Sequence, residues 1–364
     1  MDKLLFTPGP LTTSRTVKEA MLHDYGSRDT TFVNLVKEIR TQLPLLGHVS
    51  KETGYETVIM QGSGTFGVES VISSAVPKSG KLLIVINGAY GHRIANIAKI
   101  HNIPFSTIVR GEDQLITAAD VEAELAQNTY THLAVIHCET TSGVINPVTE
   151  IGAVAAKHNL TYIVDSMSAF GAVPVDIAKA QIHFLVSSSN KCIEGVPGFS
   201  FVIAQVDKLQ QCKGIADTLT LDLHAQWVAL EKDGQFRFTP PTHALLAFRQ
   251  ALRELDEEGG VAARSNRYQQ NCKVLGEGMK TLGFKEYLPE NVRGYIINTY
   301  LYPESPNFKF TEFYNQLNNR GFVIYPGKLT QADCFRVGNI GRIYQADIVA
   351  LLKAIGEVKG EMGF

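Results

Sequence analysis

The chain contains no run of roughly 18 apolar residues, the length a membrane-crossing helix requires. It also lacks an excess of either charge. Lys and Arg number 34 against 36 Asp and Glu, so neither nucleic acid nor an anionic membrane is an expected partner. Its five cysteines (Cys138, Cys192, Cys212, Cys272 and Cys334) are scattered, odd in number and never paired as C-x-x-C. That usage argues against a disulfide framework and for reduced thiols in a cytoplasmic protein. The opening residues, Met1 to Pro10, lack the apolar stretch of a secretory signal. Internal repeats and low-complexity tracts are missing too. What is present is ordinary globular composition, 45% hydrophobic over 364 residues, enough for a large core and two domains.

Short apolar runs at 57–60, 82–86, 105–109, 133–137, 162–165, 184–187 and 199–204 read as strands. Helix-like stretches at 68–75, 93–100, 118–126 and 151–158 fall between several of them. This alternation predicts an α/β fold with a mostly parallel seven-stranded sheet flanked by helices. Ligands of such sheets bind at the carboxyl ends of the strands. After the break at Phe238-Thr-Pro-Pro-Thr242 come two long helical stretches, 244–258 and 262–282. Strand candidates at 295–301, 322–325 and 334–337 follow, with a helix at 311–319. The expected division is a large domain over 16–259 and a smaller C-terminal α/β domain over 260–364.

Two residues at strand ends carry chemistry. Ile182 to Lys191 runs an apolar strand into small hydroxyl residues and then a lysine, and Tyr162-Ile-Val-Asp165 ends a neighbouring strand on a carboxylate. That pair suits pyridoxal phosphate, whose aldehyde forms a Schiff base with a lysine and whose pyridinium nitrogen pairs with an acid. A surface lysine at a strand terminus is the plain alternative.

Gly62-Ser-Gly-Thr-Phe-Gly67 matches G-x-G-x-x-G, the fingerprint of a nucleotide-binding dehydrogenase. The dinucleotide reading needs an acid at the end of the next strand, and there the chain has Asn87-Gly-Ala-Tyr90. Free N–H groups at a helix start, joined by the hydroxyls of Ser63 and Thr65, suit a phosphate monoester instead. Tyr90, between glycines at a strand end, either lies against a flat heterocycle or packs into the core. His137, Cys138 and Glu139 alternate in direction along a strand and so do not form a metal site; no metal is assigned.

Taken in order, the Gly-Ser-Gly-Thr loop, Asn87-Gly-Ala-Tyr-Gly91, His137-Cys-Glu-Thr-Thr-Ser-Gly143, Val164-Asp-Ser-Met-Ser168 and Ser188-Ser-Asn-Lys-Cys-Ile-Glu-Gly-Val-Pro-Gly198 resemble the class V aminotransferases among the fold-type I pyridoxal phosphate enzymes. The resemblance covers essentially the whole chain. Within the group, Thr7-Pro-Gly-Pro-Leu-Thr-Thr13, Asn190 to Gly198, Gly321 to Lys328 and Arg336-Val-Gly-Asn-Ile-Gly341 resemble the branch acting on 2-aminoethylphosphonate and pyruvate. Asn190 stands where cysteine desulfurases typically carry His and alanine–glyoxylate transaminases Gln. Nothing outside the likeness separates this branch from the alanine or serine–glyoxylate branch.

The resemblance implies the roles. Lys191 would hold the cofactor and move the substrate's proton, and Asp165 would keep the ring nitrogen protonated. Ser63, Gly64 and Thr65 would grip the phosphate, Tyr90 would stack on the ring, and Thr140 would lie near its 3-hydroxyl. Thr239 would reach the phosphate of a partner subunit, placing the site at a homodimer interface. Arg336 would bind the substrate anion. Residues 1–15 would form a segment near the active site.

Overall fold

The computed structural model describes residues 2–364. A seven-stranded sheet runs in the order Tyr55–Gln61, Phe199–Gln205, Phe184–Ser188, Thr161–Asp165, His132–Ile136, Leu82–Ile86 and Phe105–Val109. Its inner strands are uninterrupted apolar runs buried along nearly their whole length. Helices on both faces explain why no polar alternation is seen. Only Phe199–Gln205 runs antiparallel to its neighbours; the other pairings are parallel. The six like-directed strands therefore deliver residues 62, 87, 110, 137, 166 and 189 to one edge of the sheet.

Strand positions agree with the apolar runs to within two residues. The helices differ more at their starts. Helix Gly64–Ala75 begins four residues before the amphipathic signal, because its first turn is built of small residues with Ser63 as N-cap. Helix Ala89–Ile100 likewise takes in Ala89, Tyr90 and Gly91, which read as loop. The candidate strand 322–325 is two short strands. Phe322–Val323 pairs in parallel with Leu4–Leu5, and Tyr325–Pro326 pairs with Cys334–Gly338. Buried Ile324 separates them.

Two apolar cores result. The first spans the sheet and its helices from Val17 to Leu255. The second gathers Phe6 with Leu275, Phe313, Phe335, Leu351 and their neighbours around the strands Ile297–Leu301 and Cys334–Gly338. A smaller cluster, including Leu11, Cys192, Tyr268 and Ile340, lies between them. Among the described residues no helix is long and apolar enough to cross a membrane.

Candidate active site

Strand Phe184–Ser188 leads into a tight turn. Ser189 Oγ lies 2.6 Å from the Val196 carbonyl and 3.1 Å from that of Phe199, and the Gly195 N–H donates to the Ser189 carbonyl. Closing the turn this way turns Lys191 toward the cleft at the strand ends. Its Nζ donates to the Pro8 carbonyl at 2.6 Å. A Cβ on Gly9 would lie 2.7 Å from Lys191 Cδ, so the segment approaches the lysine only because residue 9 has no side chain. Burial disfavours the ammonium and holds the Lys191 pKa below its ordinary value, against the opposing pull of Tyr90 and Asp165.

Behind the lysine lies a buried ionic cluster. Arg264, fully buried, donates to the Cys192 carbonyl at 2.7 Å and pairs with Glu258 at 2.7 Å. Glu194 receives Arg267 and the Tyr268 hydroxyl, each at 2.6 Å. These contacts tie the lysine turn to helix Gly260–Thr281.

Asp165 ends its strand facing the same cleft and is 8% exposed. Burial pushes its carboxyl up to about 6, while the Met167 N–H, 3.0 Å from Oδ1, and the charges of Arg93 and Lys191 pull the other way; Glu139 adds to the rise. No donor among the described residues meets the second oxygen. Opposite, the Ser63 hydroxyl makes no capping bond to its helix, leaving it and the first-turn N–H groups available. Gly64 is required by proximity, since a Cβ there would collide with the Met167 thioether. Ser63, Gly64, Thr65, Tyr90, Thr140, Asp165 and Lys191 all line one cleft of about 190 Å³.

The cleft is rich in cations. The Arg93 guanidinium lies 4.7 Å from the Tyr90 ring centroid and 3.0 Å from Thr65 Oγ1. Lys328 Nζ lies 4.2 Å from the same centroid. Burial favours the neutral phenol of Tyr90, yet Thr140 and the charges of Lys191, Lys328 and Arg336 together hold its pKa below the ordinary value. Arg336 is 2% exposed and donates to the carbonyls of Thr140 (2.6 Å) and Pro326 (3.0 Å). It has no acidic partner among the described residues. A buried guanidinium left without a carboxylate is suited to an anionic ligand.

Pyridoxal phosphate fits this donor set. A free hydroxyl and helix N-terminus suit its phosphate, the unmatched Asp165 oxygen suits its ring nitrogen, and Lys191 is an amine whose pKa burial lowers. The aminotransferase class-V family model matches residues 15–300. The chain belongs to the class V aminotransferase family. Curated relatives include the 2-aminoethylphosphonate–pyruvate transaminases of Salmonella paratyphi C and Salmonella typhimurium. Each is 52% identical over 355 residues, covering 97% of this chain and 96% of the relative. Similar solved structures include ureidoglycine–glyoxylate aminotransferase from Bacillus subtilis (TM-score 0.91, 19% identity, 100% of this chain and 94% of that one). Pyridoxamine–pyruvate aminotransferase from Mesorhizobium loti superposes with TM-score 0.90 at 21% identity, covering 100% and 94%. These structures share the fold-type I architecture.

In this class V aminotransferase the G-x-G-x-x-G loop is not a dinucleotide site. Asn87, where the acid would stand, is buried and bonded to Asn146 Oδ1 at 2.8 Å and to the Gln114 carbonyl. Glu139 is buried beneath Gly88 and accepts the N–H of Tyr90 (3.1 Å) and of Thr141 (3.0 Å), so it fixes the start of helix Ala89–Ile100. Thr239 is exposed and lies outside this cleft, beside Arg28 in a surface groove, its carbonyl bonded to Gln61. Arg336 reaches the cleft through Thr140. Arg93, Lys328 and Pro8 escaped the sequence reading. Arg93 had a legible signal, standing one helical turn after Tyr90; Pro8 and Lys328 lie within the segments that carried the family likeness, which gave them no individual role.

Proposed function

We propose that the chain is a 2-aminoethylphosphonate–pyruvate transaminase, moving an amino group from 2-aminoethylphosphonate to pyruvate to yield phosphonoacetaldehyde and L-alanine. The observation carrying the chemistry is the placing of Lys191 and Asp165 on one cleft whose other walls include a free helix N-terminus and the Arg93 guanidinium. The substrate assignment rests on the 52% identity to relatives of that name.

Pyridoxal phosphate, when bound, supplies an aldehyde that takes up amines and a ring that draws in electron density as the C–H bond beside nitrogen breaks. Lys191 would anchor it covalently; Ser63, Gly64 and Thr65 would hold its phosphate, and Tyr90 would lie against its ring, with Thr140 beside the ring hydroxyl. Once displaced, Lys191 Nζ takes the proton from the substrate carbon bearing nitrogen. Burial favours that step by disfavouring the ammonium form. The negative charge of Asp165 keeps the ring nitrogen protonated. Arg336 Nη2 receives phosphonate and carboxylate in turn. In a homodimer, Thr239 from a second copy would reach the phosphate; the exposure of Thr239 in its own chain suits that role. Reduced, unpaired cysteines fit a cytoplasmic enzyme.

The test is spectroscopic. Holoprotein given 2-aminoethylphosphonate alone should lose its yellow absorption and recover it on adding pyruvate, and Lys191→Ala should do neither. A holoprotein whose spectrum ignores 2-aminoethylphosphonate but responds to alanine overturns the substrate assignment; one that ignores both overturns the transaminase reading of this site.

A further inference from the structure

Arg336 brings one positive charge, and two of its N–H groups are spent on the Thr140 and Pro326 carbonyls. Its fixed fork matches a planar carboxylate. A phosphonate, like a phosphate monoester, is tetrahedral and carries between one and two negative charges near neutrality. One guanidinium therefore balances pyruvate but under-balances 2-aminoethylphosphonate. Arg93 is bound to Thr65 on the cofactor-phosphate side, which leaves a different cation to supply the difference.

Lys328 has the required position. It follows the strand Tyr325–Pro326, in which Tyr325 is paired directly with Arg336, and the Arg336 guanidinium lies 5.1 Å from the Tyr325 ring. Lys328 Nζ stands 4.2 Å from the centroid of Tyr90, whose phenol feels both Lys328 and Arg336. The side chain is half-buried and has no acidic partner among the described residues. An ammonium on a flexible stem, with three rotatable donors, adapts to a third oxygen that a fork cannot meet.

We propose that Lys328 is a specificity-determining residue that, together with Arg336, distinguishes a phosphonate from a carboxylate at the substrate anion site. This rests on the functional reading above. With holoenzyme, Lys328→Gln should lower kcat/KM for 2-aminoethylphosphonate about ten- to hundredfold, as expected for one lost charge-assisted hydrogen bond. The value for pyruvate should fall less than about threefold. Lys328→Arg, which keeps the charge but not the adaptable geometry, should restore only part of the phosphonate activity, and an unchanged holoenzyme spectrum shows that the site is intact. Equal losses for both substrates, or no loss for either, overturn the proposal.

The dissociation constants of ethylphosphonate and propionate, which lack the amine, separate this inference from the functional reading. If wild type fails to transaminate 2-aminoethylphosphonate, the reading falls. A selective loss of ethylphosphonate binding in Lys328→Gln still supports the anion-sensing role, and unchanged selectivity refutes it.

Discussion

Replacing Asp165 with Asn should stabilise the cofactor-free protein while destroying its activity. Burial raises the Asp165 carboxyl from 3.8 to about 6, so the folded state binds its proton more tightly than the unfolded chain does. Stability contributed by this group is then undiminished below about pH 4, declines as the pH rises, and reaches its full penalty above about pH 6. Each tenfold in protonation is worth about 1.4 kcal/mol, so the penalty near pH 8 is about 3 kcal/mol. Asn keeps an oxygen to accept the Met167 N–H and carries no charge to desolvate. Urea denaturation of the cofactor-free wild type and Asp165→Asn at pH 4 and pH 8 measures the difference. The variant should be more stable at pH 8 by about 1–3 kcal/mol and almost indistinguishable at pH 4. A variant equal to or weaker than wild type at pH 8 would refute the claim that this carboxylate is held at a cost in the empty cleft. So would a gain that does not change with pH.

Ser63→Ala should weaken cofactor binding roughly ten- to hundredfold by removing one donor to the phosphate, as read by titration of the cofactor-free protein. Its stability should barely change, because this hydroxyl makes no capping bond, whereas an ordinary N-cap substitution costs about 1 kcal/mol. Arg264→Met should destabilise the fold by about 3 kcal/mol, since it leaves Glu194 with one less cation and the Cys192 carbonyl without its donor. A loss below about 1 kcal/mol in urea denaturation would show the cluster to be dispensable.

The sheet was legible because strands buried on both faces are written as unbroken apolar runs. The meeting of Asp165 and Lys191 was legible from topology: parallel strands share one ligand-facing end, so residues ending adjacent strands come together. Helix starts were less legible. Gly64 to Gly67 and Ala89 to Gly91 carry glycines and fall outside the amphipathic pattern, yet both are helical first turns, the second held by a tertiary contact of Glu139 with Tyr90. The split at Ile324 depends on a partner strand more than 300 residues earlier, which no local pattern announces. Arg264 is similarly opaque. A fully buried arginine reads as a surface residue until Glu194 and Glu258 are brought to it.

The segment Leu4 to Pro8 has a consequence for how the protein is made. Leu4–Leu5 pairs with Phe322–Val323, the Phe6 carbonyl accepts the Gly338 N–H, and Pro8 caps Lys191. During synthesis these residues leave the ribosome more than 300 residues before their partners at 322 and 338. The sheet around Lys191 can assemble while the chain is still growing, but the carbonyl that holds the lysine amine is not in place until the C-terminal strands arrive. A product that stops short of those strands would thus present an unguarded lysine in an unfinished cleft.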